Sequence, residues 1–163
     1  MALNPLLNPQ GHPQLFPNEV IVIIYQGVYG TLDLSNNYRS RFPGNLYLTN
    51  ARMVFLSLDR SKSAYNFALH LNLVERESFN GQFPRHSIIQ GYAKPYMNYM
   101  PSPGNFKFEM LQDPTPFITN LRSLLSQIRT ITIKNTLDEA KSQAFVDPND
   151  PDIIYMVDIG KGN

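Results

Sequence analysis

A chain of 163 residues with 42% hydrophobic and 17% charged residues has enough apolar material for one folded core, and too little charge for a disordered or coiled-coil chain. Fourteen Lys and Arg against thirteen Asp and Glu leave a net charge of +1, which argues against a general nucleic-acid binder, because phosphate neutralisation needs a basic excess. The absence of cysteine removes disulfide scaffolds, thiolate metal sites and cysteine nucleophiles together.

Residues 1–17 hold Pro5, Pro9, Pro13 and Pro17. A proline every fourth residue blocks both helix and ladder pairing, so an extended arm is expected. Leu3, Leu6, Leu7, Leu15 and Phe16 are unusual for a solvated linker and predict an arm that lies on a surface, its own or a partner's. The first basic side chain is Arg39, and the run Val20–Ile24 is far shorter than the roughly 20 residues a spanning helix needs. The expectation is a cytoplasmic protein without a signal peptide, presequence or membrane span.

From Val20 to Leu34 the chain is β-branched and aromatic, with Gly27 and Gly30 marking a bulge or bend. Asn36–Gly44 reads as loop, followed by a strand at Asn45–Leu48, a Thr49-Asn50 turn and a strand at Arg52–Leu58. Further strands are expected at Tyr65–Leu71, Leu73–Phe79, Ser87–Ala93 and Phe106–Met110, the last alternating apolar and polar at period two. The period then changes. Phe117, Leu121, Leu124, Leu125 and Ile128 form one stripe of an amphipathic helix, with Thr115 as its cap and Pro116 at its first position.

Residues 131–163 read as a C-terminal extension. Thr136 and Glu139 have the spacing of a capping box that opens a short helix to about Phe145, and Ile153–Ile159 reads as a last strand. Through Thr130 there are eleven Lys and Arg against seven Asp and Glu; from Ile131 onward there are three against six. A mildly basic body thus carries an acidic tail.

Seven short strands closed by one helix is the plan of the pleckstrin-homology-like barrel, mainly β with one α element. The stretch Gly44-Asn45-Leu46-Tyr47-Leu48-Thr49-Asn50-Ala51-Arg52-Met53-Val54-Phe55-Leu56 resembles the hairpin that marks GRAM domains, and is most similar to the WW domain-binding protein 2 family. Supporting similarities are Met1-Ala2-Leu3-Asn4, the strand Phe67–Leu73, Gln90-Gly91-Tyr92-Ala93-Lys94 and Phe106-Lys107-Phe108. The resemblance implies a GRAM domain over about residues 18–130, flanked by the two extended arms. Members of that family act as adaptors through Pro-Pro-x-Tyr tails that WW domains grip as polyproline II. This chain contains no Pro-Pro, so WW binding is not carried over. Arg52 is read as structural, reaching back over the Thr49-Asn50 turn to strand-end carbonyls.

No cofactor or metal is expected: His12, His70 and His86 stand at no ligand spacing. Glu75 and Glu77 share a strand face, but Arg76 beside them suggests a solvated one, and no nucleophile or phosphate-loop string occurs. A non-catalytic role is therefore expected. The candidate partner contacts are Leu6, Leu7, Leu15 and Phe16 on the arm, Tyr96, Met97, Tyr99 and Met100 in an aromatic loop, and Ile153, Ile154 and Tyr155 in the tail, which could pair with a sheet edge of another chain. The function these predict is an adaptor or structural accessory subunit whose partners are other protein subunits. The alternative is a peripheral module that binds anionic lipid or phosphoinositide through Arg39, Arg41, Arg60 and Lys62.

Overall fold

The computed structural model describes residues 2–34, 38–59, 66–81, 87–95, 103–142, 144–147 and 150–156. They fall into two units, Met1–Leu125 and Ser126–Asn163.

The first unit is built on seven antiparallel strands, β2 (Ile21–Leu34), β3 (Tyr38–Thr49), β4 (Arg52–Ser57), β5 (Phe67–His70), β6 (Val74–Asn80), β7 (Ser87–Ala93) and β8 (Gly104–Met110). A two-residue strand, β1 (Ala2–Leu3), precedes them, and the order across the sheet is β1-β5-β4-β3-β2-β8-β7-β6. The long β2 belongs to both halves, pairing with β3 along its length and with β8 only from Tyr29 to Leu34. The ladder shifts between Tyr25 and Val28, where Gly27 takes φ 69, a value that costs glycine little. That bulge curls the sheet into a half-barrel.

Inside lies a cluster of phenylalanines. Phe55 sits 5.1 Å from Phe67 and 6.0 Å from Phe108 between ring centroids, and Phe106 and Phe108 are 5.5 Å apart. Two glycines make room for Phe55: a Cβ on Gly30 would stand 2.6 Å from its ring, and one on Gly44 would also strike the Leu56 carbonyl. The helix α1 (Thr115–Ser142) begins in this unit and sends Phe117, Leu121 and Leu125 into the core, with Phe117 edge-on to Tyr25 at 5.5 Å.

Several local readings change. The segment Tyr38–Gly44 is strand rather than loop, because β2 is long enough to pair with it, Tyr29 opposite Pro43 and Leu34 opposite Tyr38. A 3-10 turn at Leu71–Leu73 separates β5 from β6. The helix cap comes from Asp113, whose Oδ1 accepts from the Thr115 N–H at 3.0 Å and from its hydroxyl at 2.7 Å; Thr115 is capped rather than capping.

In the second unit α1 runs on without a break through Ile131-Thr132-Ile133, so Thr136 and Glu139 lie inside the helix and open none. The threonines are accommodated. The hydroxyls of Thr130 and Thr132 donate to the carbonyls of Ser126 and Ile128 at 2.9 and 3.0 Å, which keeps them within the helical pattern. The strand read in the tail begins earlier and is not alone: β10 (Asp150–Met156) pairs antiparallel with β9 (Ala144–Asp147).

Candidate functional site

Every position of β4 from Arg52 to Leu56 is buried. A strand in a half-barrel has one face inward, so burial of both faces needs a second layer outside. Tyr47, Val54, Leu56 and Ala68 form that outer cluster, and the N-terminal arm lies over it. Ala2 and Leu3 pair with Ala68 and Phe67 of β5, and His12 Nδ1 is 3.0 Å from the Tyr47 hydroxyl.

The arm is therefore not extended. Leu7 and Pro13 form an antiparallel bridge, and Asn8 organises the turn between them. Its Oδ1 accepts the N–H groups of Gln10 and His12 at 3.1 and 3.0 Å, supplying acceptors where proline prevents a ladder.

The far end of the arm is fastened to the Thr49–Arg52 turn. Arg52 Nε and Nη2 donate to the two oxygens of Glu19 at 2.8 and 3.1 Å, and Nη2 also donates to the Gln14 carbonyl at 2.7 Å. The Thr49 hydroxyl donates to Glu19 at 2.7 Å while its oxygen accepts the Arg52 N–H at 2.9 Å. Phe16 lies under the guanidinium, 4.1 Å from ring centroid to Cζ, and stacks on His70 at 6.2 Å. Arg52 is structural, but its partners are the arm's Gln14 and, two residues past the arm, Glu19 rather than strand-end carbonyls.

Burial works to raise the Glu19 carboxyl, but the hydrogen bonds from Arg52, the Phe16 N–H and Thr49, with the arginine charge, hold it below the usual carboxylate value. His70 moves the other way for a base: burial, aided by the nearby N-terminus and Arg52, lowers it from 6.5 to about 4.

With the arm in place, an apolar band remains uncovered. Leu6 is 75% exposed, Leu7, Leu15 and Phe16 lie between 39 and 50%, and Val20, Ile21, Val22 and Ile24 lie between 38 and 56%. Pro13, Leu15, Ile21 and Ile24 are among the walls of a depression of about 500 Å³ between arm and β2. Glu19 is the single charged side chain among residues 1–32, and it is buried against Arg52. The band is electrically neutral.

The four arm candidates are thus all exposed, and Leu15 shares a depression with Ile21 and Ile24 of β2. Sequence reasoning missed their neighbours in β2, although the signal was present: Val20–Ile24 is apolar without alternation, which in an antiparallel barrel asks for cover on both faces. Ile154 and Tyr155 pair with Val146 and Phe145 inside the tail hairpin, and Ile153 lies in the same strand. Tyr96, Met97, Tyr99 and Met100 lie outside the described residues, as do Arg60 and Lys62. The backbone of Arg39 sits opposite Asp33, and Arg41 is committed to Glu109 at 2.8 Å and to the Tyr29 ring at 3.8 Å. Between Glu75 and Ser78 the β6 ladder shifts around Arg76, at φ 53, which breaks the alternation that placed Glu75 and Glu77 on one face.

Neither a family model nor a curated protein sequence matches the chain. Among solved structures, the N-terminal PH domain of Vps36 is similar, with a TM-score of 0.57 and 17% identity over 79% of this chain and 96% of that one. The fold is pleckstrin-homology-like. A chain of the 8S snRNP assembly intermediate gives a TM-score of 0.44 at 10% identity, covering 68% of this chain and 82% of that one. In this PH-like chain no described helix is long and apolar enough to cross a membrane. Among the described residues no group of three His, Asp or Glu is placed to hold a metal.

Proposed function

We propose that this PH-like chain is a non-catalytic adaptor or accessory subunit of GRAM type, which docks into a protein assembly through the side that carries its arm. The observation behind the reading is the neutral apolar band from Leu6 to Ile24, eight large side chains exposed on one arm and one strand end. Apolar and aromatic groups without charge are what the centre of a protein interface contains, and a lone PH-like module gains nothing from leaving them in water. The hairpin from Gly44 to Phe55 supports the GRAM assignment, with Thr49 and Arg52 bound to the chain's own arm rather than presented to a ligand. Arg41, the one lipid candidate whose side chain is described, already has Glu109 as counter-charge.

The test is affinity purification of the tagged full-length chain from its native cells, followed by reconstitution with each stoichiometric companion. A companion that rebinds the wild-type chain and is lost with Ile24→Asp supports docking. A monomer that recruits no companion but binds vesicles of phosphatidylcholine with phosphatidylserine, and loses them with Arg41→Ala, overturns it in favour of a lipid surface.

A further inference from the structure

The band contains an open strand edge. From Ile21 to Val28 one side of β2 is held by β3, while β8 reaches only as far back as Tyr29. Among the described residues no strand occupies the other side over Ile21–Val28. The N–H and C=O groups of Ile23 and Ile24 that β3 does not engage form a short row of donors and acceptors that a further strand satisfies, while the Tyr25 hydroxyl is taken by the Asp113 carbonyl.

Edges of this kind are normally blunted by lysine, proline or an inward charge. Here lysine, proline and charge are missing from Ile21–Val28, and the ladder shifts at Ile21/Ile23 and Tyr25/Val28 are what interrupts the edge. Val20, Ile21, Val22 and Ile24 are exposed although they point to both faces of the strand, and no charge falls between Glu19 and Asp33. The depression walled by Pro13, Leu15, Ile21 and Ile24 borders the same stretch and offers room for an apolar anchor. The ladder shift between Ile21 and Ile23 at one end, and the bulge at Gly27 with Tyr25 packed on Phe117 at the other, leave a regular edge of Ile23–Tyr25, the length of a very short strand.

We infer that this edge receives an extended, uncharged, β-branched segment of a partner protein as an additional strand. The inference rests on the docking function proposed above and names the partner's chemistry. Backbone hydrogen bonds supply affinity, and the depression selects one apolar side chain, as in other strand-addition complexes. A charged or helical segment fits poorly: the first has no counter-charge here, and the second cannot satisfy the strand's row of polar groups.

The experiment selects random peptides of about 12 residues, longer than an average strand, on the immobilised full chain. The expected winners are uncharged and rich in Val, Ile and Thr. Ile24→Asp weakens them about tenfold or more, as loss of one buried apolar contact predicts, while Arg41→Ala leaves them unchanged. N-methylation of alternate residues in a winning peptide abolishes binding, and methylation of the intervening residues does not. That pattern reads the backbone ladder and needs no change to the protein. Acidic or helical winners, tolerance of N-methylation, no enrichment at all, or displacement of the peptide by a second copy of the chain overturns strand addition. If a stoichiometric companion is still lost with Ile24→Asp in those cases, the docking reading survives and only its strand form fails.

Discussion

Glu19 and Arg52, 33 residues apart, meet as a two-pronged ion pair with side-chain exposures of 1% and 4%. The pair joins the end of the arm to the turn between β3 and β4, and Thr49, Gln14 and Phe16 complete its surroundings. A buried pair so enclosed contributes modestly while intact, because desolvation offsets much of the attraction, and costs heavily when halved.

Glu19→Gln or Arg52→Met therefore lowers unfolding free energy by about 3–5 kcal/mol, leaving one charge buried alone. The double substitution costs less than the sum of the two. Urea unfolding of the four proteins measures both statements, and equal additive losses would show that the two side chains act independently.

Acid loosens the same region. His70 has its folded value lowered from 6.5 to about 4, so the unfolded chain binds the proton more readily and stability falls as pH drops from about 6.5 to 4. The loss amounts to at most about 3 kcal/mol. Glu19, held below its ordinary value, contributes stability that is present above that value and disappears as pH falls through its folded one. Melting temperature between pH 7 and pH 4 should decline, and His70→Gln should flatten the upper part of the slope; an unchanged slope would exclude His70 as its source.

Gly30 and Gly44 differ in what a methyl group would strike. At Gly30→Ala the nearest atoms the methyl group meets are all in the Phe55 ring, at 2.6 Å and beyond, whereas at Gly44→Ala the nearest is the Leu56 carbonyl. Each should destabilise by about 1–3 kcal/mol, as overpacked cores do. Phe55→Leu should recover part of the loss in the Gly30 variant and little in the Gly44 variant, which thermal melts of the double substitutions decide.

Arg41→Ala should change stability by less than about 1 kcal/mol, since its pair with Glu109 is half exposed and screened. Raising salt should leave the difference between variant and wild type near zero. A large loss would mean that the Tyr29 contact carries more than surface pairs usually do.

The strands were readable because period and residue type act locally. Phe106, Phe108 and Met110 alternate with Lys107 and Glu109, and the structure buries the first set and half-exposes the second. The helix stripe at Phe117, Leu121 and Leu125 was legible for the same reason. Tyr38–Gly44 was misread because its loop-like residues are held as strand by a partner far off in sequence, and Thr136 because a capping box functions only where a helix begins. Half of the candidate face, Leu6, Leu7, Leu15 and Phe16, could be named from the arm's composition; Val20–Ile24 could not be placed on it.

By itself, then, the sequence determined where the chain would be strand or helix and which side chains needed burial, since backbone preference and hydrophobic periodicity depend on near neighbours. Only the tertiary structure decided that the arm would roof the outer face of β4, that Arg52 would spend its donors on Glu19 and Gln14, and that β8 would stop at Tyr29. Those outcomes depend on which distant segments meet and on the length at which each strand ends, and it is the end of β8 that leaves the edge of β2 open.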